Sequence, residues 1–157
     1  MKYKYIKTII LLLFSKLVFS QFSYKELLDL SSKSKEDVTN YLNTKKKGWV
    51  YLKYDKATDC QIWKKGNEKL ILNYYSSKSR IIKYYFHNSE YNKKMSSELG
   101  TTGEYSFPET VDYDNESLKI FRGPKIVVIH IICSATDKDC NHQIDVMSKE
   151  RFKSEKY

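Results

Sequence analysis

Gly66 and Asn67 limit this chain's fold more than any other residues. They stand between two runs of strand spelling, CQIWKK at 60–65 and KLILNYYS at 69–76. Two turn-forming residues between such runs specify a tight hairpin. WVYLKY at 49–54 precedes the pair, and RIIKYYFH at 80–87 follows after the polar stretch Ser76–Ser79. Connections this short leave neighbouring strands no choice but to run antiparallel. Residues 49–87 therefore read as a four-stranded meander.

Helices precede the meander. Ser23 followed by Glu26 spells a capping box, with Leu27, Leu28 and Leu30 on one helical face. Ser34 starts a second helix carrying Val38, Tyr41 and Leu42, and Gly48 is placed to stop it. The same grammar then recurs. Asn88 or Ser89 can cap a helix through Tyr91, Met95 and Leu99, ended by Gly100. EYSF at 104–107, SLKIFR at 117–122, KIVVIHIIC at 125–133 and HQIDVM at 142–147 supply four more strands. At an offset of 57 residues, Leu42 falls on Leu99, Cys60 on Ser117, and KLILNYYS on IVVIHIIC. The expectation is an α+β fold, an antiparallel sheet with helices on one face. It divides into two tandem helix-plus-four-strand units, 23–87 and 88–148, sharing one sheet; a single irregular α+β domain is the alternative.

Alternation divides each strand into two sets of side chains. Val50, Leu52, Tyr54, Cys60, Ile62, Leu70, Leu72 and Tyr74 are assigned to the core beneath the helices. Trp49, Tyr51, Lys53, Gln61, Trp63, Lys65, Ile71, Asn73 and Tyr75 then form the wet face. Trp49, Tyr51, Trp63 and Tyr75 are the candidate binding residues, because large aromatics with polar tips suit protein recognition. The alternative is that they only cover the sheet. KIVVIHIIC is apolar on both faces, which marks a central strand. His130 lies in its Ile126, Val128, Ile132 row and reads as a core histidine.

The first twenty residues have a different character. Lys2, Lys4 and Lys7 lead into an apolar run from Ile9 to Phe14, and Ser20 precedes Gln21. This is the layout of a secretory signal peptide, expected to be cut before Gln21 to leave a single domain over 21–157. The run is too short to span a bilayer, so no membrane span is expected after cleavage. Cleavage removes four lysines, lowering the net charge from +9 to +5. Only Arg80, Arg122 and Arg151 accompany the 25 lysines, which argues against nucleic acid as a partner. The 14 tyrosines agree with a large sheet showing one face to solvent. In an oxidising compartment, Cys133 and Cys140 flank a short polar connection and are expected to form a disulfide, leaving Cys60 unpaired.

Motifs for chemistry are sparse. The 104–116 loop carries Glu104, Glu109, Asp112, Asp114 and Glu116. It lacks the glycine and terminal glutamate of a calcium loop, so it reads as a solvated acidic loop. Asp137, Asp139 and His142 around Cys140 are explained by turn formation. No phosphate-binding, zinc-protease or nucleophile-elbow spelling is present, and neither a cofactor nor a metal is expected.

The leader ending in FSQ, the Lys/Tyr/Asn-rich body and the Lys47-Gly48-Trp49 motif resemble small exported proteins of flavobacteria. The order of elements from residue 24 to 147 resembles the β-lactamase-inhibitor-protein fold. That resemblance implies protein binding by an aromatic-lined concave sheet, and transfers no residue and no inhibited enzyme. The expected function is an exported, non-catalytic binding module for a protein or envelope component, in the periplasm, at the cell surface or in the medium. The alternative is a small envelope enzyme acting on glycan or cell-wall material with acids from the 104–116 loop.

Overall fold

The computed structural model describes residues 21–74, 81–106, 108–112, 116–133 and 141–154. They form four helices and one eight-stranded antiparallel sheet. The chain runs α1 (Tyr24–Ser32), α2 (Lys35–Thr44), β1 (Val50–Asp55), β2 (Cys60–Lys65), β3 (Glu68–Asn73) and β4 (Ile81–Phe86). It continues through α3 (Ser89–Thr101), β5 (Glu109–Asp112), β6 (Glu116–Arg122), β7 (Ile126–Cys133), β8 (His142–Ser148) and α4 (Lys149–Ser154). The sheet order is β1-β2-β3-β4-β8-β7-β6-β5. Two meanders thus lie side by side, joined at β4 and β8, with β1 and β5 as the outer edges. The residue offset of 57 superimposes β3 on β7 and β2 on β6, which hold corresponding places in the two halves.

Local signals account for the helix starts. The Ser23 hydroxyl accepts from the Glu26 amide, and the Glu26 carboxylate accepts from the Ser23 amide, completing the capping box of α1. Ser34 caps α2 through the Asp37 amide, and the Asn88 side chain accepts from the amides of Glu90 and Tyr91 at the start of α3. Gly48 has φ +94°, a left-handed turn that a side chain would resist, and it releases the chain from α2 into β1.

Hydrophobic packing fixes the layers. Leu27 and Leu30 of α1, Val38 and Leu42 of α2, and Tyr91, Met95 and Leu99 of α3 all sit on one sheet face. Beneath them lie Trp63, Leu70, Leu72, Ile82, Tyr84, Phe86, Phe121, Val128, Ile144 and Val146. The opposite face carries a smaller core of Ile81, Leu118, Ile120, Val127, Ile129 and Met147. Phe152 of α4 packs against it, and the Arg122 guanidinium lies 4.6 Å from the Phe152 ring centre. The C-terminal charge run therefore hides one anchoring aromatic, and a helix packs over β7 and β8 on the second face, the part of the sheet where β7 is apolar on both sides.

Two strand expectations shift. Residues 104–106 form no strand; the edge strand is Glu109–Asp112, inside the stretch expected to be a loop. Pro108 has no N–H to give a ladder, so pairing starts after it. Gly100 does not end α3, which runs on to Thr101. At the β6–β7 turn, a Cβ on Gly123 would meet the Tyr105 ring at 2.9 Å, so glycine there permits a close approach.

Candidate functional site

The most exposed apolar surface belongs to the sheet edge at β1. Val50 is 60%, Tyr51 45%, Leu52 52% and Tyr54 39% exposed. Among the described residues β1 pairs only with β2, so its outer main-chain donors and acceptors face no neighbouring described strand. An open edge with large apolar side chains is a template for another strand.

A β-bulge shapes this edge. Tyr51 pairs with Trp63 and Lys53 with Ile62, so Leu52 is the extra residue. The bulge changes the phase of the side chains along β1. Tyr51 and Tyr54, opposite Trp63 and Gln61, both lean to the helix-covered face, while Val50 and Lys53 share the other. Both tyrosines are held from behind. The Tyr51 ring meets the Trp63 ring at 5.1 Å, tilted by 65°. The Tyr54 hydroxyl bonds to the Asp59 carboxylate and accepts from Lys35, whose ammonium lies 4.6 Å from the Tyr54 ring centre. Hydrogen bonds from Lys35 and Tyr54 hold the Asp59 carboxyl below its ordinary pKa, and the bond to Asp59 raises the Lys35 ammonium. Lys53, Lys56 and Lys64 are exposed around the strand.

Only part of the expected binding face survives. Trp63 is 1% exposed and Trp49 5%, both inside the main core, which corrects their assignment to a wet face. Trp63 lies opposite Leu70, and Leu70 opposite Tyr84, a row that continues the helix-covered face. Trp49 packs on Phe22 at 5.2 Å and Tyr84 at 6.3 Å. Neither indole N–H finds an acceptor among the described residues, so both rings serve packing. Tyr51 is at the surface as expected, and Tyr75 lies outside the described residues. Val50, Leu52 and Tyr54, assigned to the core, are instead the exposed ones.

The expected Cys133–Cys140 bridge involves Cys140, which lies outside the described residues. Cys60 is buried and free. Its thiol bonds to the Thr58 carbonyl at 3.3 Å.

The histidines hold α3 to the sheet. His130 is fully buried, with Nδ1 2.8 Å from the Ser96 hydroxyl. Burial, then His142 and Lys119, pushes its pKa down to about 3, so it is neutral. His142 Nδ1 accepts the Cys133 amide at 3.2 Å and lies 3.2 Å from the Asn92 amide nitrogen. A backbone N–H can only donate, so His142 carries its proton on Nε2. Burial, then His87, lowers the His142 pKa as well.

The described acids of the 104–116 stretch converge on neither histidine. Glu104, Glu109, Asp112 and Glu116 are exposed, and Glu109 is paired with Arg122 at 2.7 Å. A cleft uniting two carboxylates with His130 or His142 is the arrangement an envelope hydrolase would need, and the described residues do not form it. Asp145 is the one fully buried acid among them, bonded by the Gln143 amide at 2.6 Å and paired with Lys83 at 3.4 Å. Among the described residues no group of three His, Cys, Asp or Glu side chains could hold a metal ion, and no helix is long and apolar enough to cross a membrane.

No protein-family model, curated protein or solved structure matches the chain.

Proposed function

We propose that this chain is an exported, non-catalytic binding module that takes an extended protein segment onto β1. The observation that carries the reading is the combination of an open main-chain edge with four exposed apolar side chains on one six-residue strand. Added strands gain affinity from main-chain hydrogen bonds and selectivity from alternate side chains. The rings of Tyr51 and Tyr54 are already fixed by Trp63 and Lys35, so a partner orders little when it docks. Lys53, Lys56 and Lys64 favour a segment that carries acids.

Export rests on the leader. The first buried side chain among the described residues is Phe22, and its carbonyl accepts from the Tyr91 hydroxyl. A cut before Gln21 would therefore retain every described residue of the main core. A Cys133–Cys140 bridge suits the same oxidising destination.

A photo-crosslinking residue tests the surface. Placed at Tyr51 or Tyr54, it should give discrete protein adducts in the exported fraction, whereas the same group at exposed Lys93 on α3 should give none. Adducts at Lys93 with β1 silent would move the binding surface elsewhere.

A further inference from the structure

The two open edges of the sheet differ in charge and match in polarity. Residues 21–87, which end in β1 on the outer side, hold 14 lysines and arginines against 7 acids, a net +7. Residues 88–157, which end in β5, hold 10 against 12, a net −2. On β5 and at the start of β6, the acids Glu109, Asp112 and Glu116 are exposed. Eight strands alternate in direction across the sheet, so β1 and β5 run opposite ways. A second copy placed alongside in the same orientation thus presents its β5 antiparallel to β1 of the first. Two β1 edges facing each other would instead bring together the two basic halves.

From this polarity and charge we propose that the extended segment β1 receives is β5 of another copy of this chain, giving head-to-tail assembly through one continuous sheet. The inference rests on β1 being a strand-accepting edge. The bulge fixes a register in which every side chain meets one on its own face. Val50 lies opposite Val111, Tyr51 opposite Thr110 and Lys53 opposite Glu109, with Leu52 left out as the bulged residue. Val50 and Lys53 share the face of Ile62, as Glu109 and Val111 share the face of Leu118 and Ile120. Tyr51 and Thr110 both belong to the opposite face. Apolar meets apolar, and the one lysine meets the one glutamate, which Arg122 already orients. A contact joining two different patches does not close on itself, so the assembly lengthens with concentration.

Sedimentation velocity on purified residues 21–157 tests the assembly. The weight-average mass should rise with concentration to about twice the monomer value or more, and fall again in high salt. Lys53→Glu opposes glutamate to Glu109, and Glu109→Lys opposes lysine to Lys53, so each variant alone should remain a monomer with an unchanged circular dichroism spectrum. An equimolar mixture restores an opposite-charge pair at both kinds of contact and should reassociate. A mixture that stays monomeric overturns the proposal, as does a wild-type chain that is monomeric throughout. Glu109→Lys that still dimerises alone shows β1 meeting β1 and also overturns it. The first two of these results leave β1 as an acceptor for a foreign strand, which the crosslinking at Tyr51 and Tyr54 reads independently.

Discussion

His130 should make this protein lose stability as pH falls below 6.5, while Glu68, whose carboxyl burial raises above its ordinary range, acts in the opposite sense. Its imidazole is fully buried and its folded pKa is about 3, against 6.5 for the free side chain. The unfolded chain therefore takes up a proton that the folded chain refuses. Stability from this residue is complete above pH 6.5 and is lost as pH falls toward 3. Linkage gives a loss of about 2 kcal/mol between pH 6.5 and 4.5 from His130 alone. Glu26, whose carboxyl is held below its ordinary 4.5 by the Ser23 amide, Tyr41 and Lys46 despite burial, contributes in the same direction only at lower pH. Urea unfolding at pH 6.5, 5.5 and 4.5, followed by the fluorescence of buried Trp49 and Trp63, measures the slope. His130→Leu keeps an apolar group beneath α3, and half-buried Ser96 can turn its hydroxyl to water. The variant should lose about 2 kcal/mol less across the window, with the His142 contribution common to both proteins. Parallel losses in wild type and variant would refute the argument, and so would an NMR titration placing the His130 midpoint near 6.5.

Two further expectations follow from the placement of side chains. Trp63→Ala should destabilise the domain by about 3–5 kcal/mol, as emptying an aromatic site in a packed core does, whereas Val50→Ala should cost under about 0.5 kcal/mol; thermal melts of both variants check the contrast. Under native, non-reducing conditions no thiol should react with maleimide, since Cys60 is buried and Cys133–Cys140 is expected to be bridged. Unfolding should release one reactive thiol and reduction three, counted by mass spectrometry, and three without reductant would remove the bridge.

Much of the architecture was legible because it depends on turns and caps that act locally. The capping box at Ser23, the short connections and the Val/Ile-rich centre of β7 each dictate their element without distant help. Side-chain faces were less legible, because each strand was divided by its own alternation. The Gly66-Asn67 turn contained the missing information. A two-residue hairpin pairs Lys65 with Glu68, hence Trp63 with Leu70, which puts Trp63 on the face of the leucines. No comparable signal reveals the bulge at Leu52, since an extra residue in a strand has no composition of its own. It is the bulge that puts Tyr51 and Tyr54 on one face. The binding expectation kept Tyr51 and its aromatic character but moved from the broad face to the edge. Helix α4 was hidden by its charges, and Phe152 alone marked it.

The seam between β4 and β8 bears on the order in which this molecule comes into being. Every other ladder joins strands that are neighbours in sequence, whereas β4–β8 unites Ile81 with Met147. A ribosome or translocation pore delivers the chain amino end first, so β1–β4 and their two helices can condense while β8 is still inside. Until β8 arrives, β4 is an unpaired border carrying Ile81, Ile82, Tyr84 and Phe86. Closing that loop is the one non-local pairing in a topology built otherwise from local pairs, and non-local pairing slows folding. The growing chain's vulnerable interval is therefore the time needed to make residues 87–148, and a chaperone that shields a single strand border would suffice to bridge it.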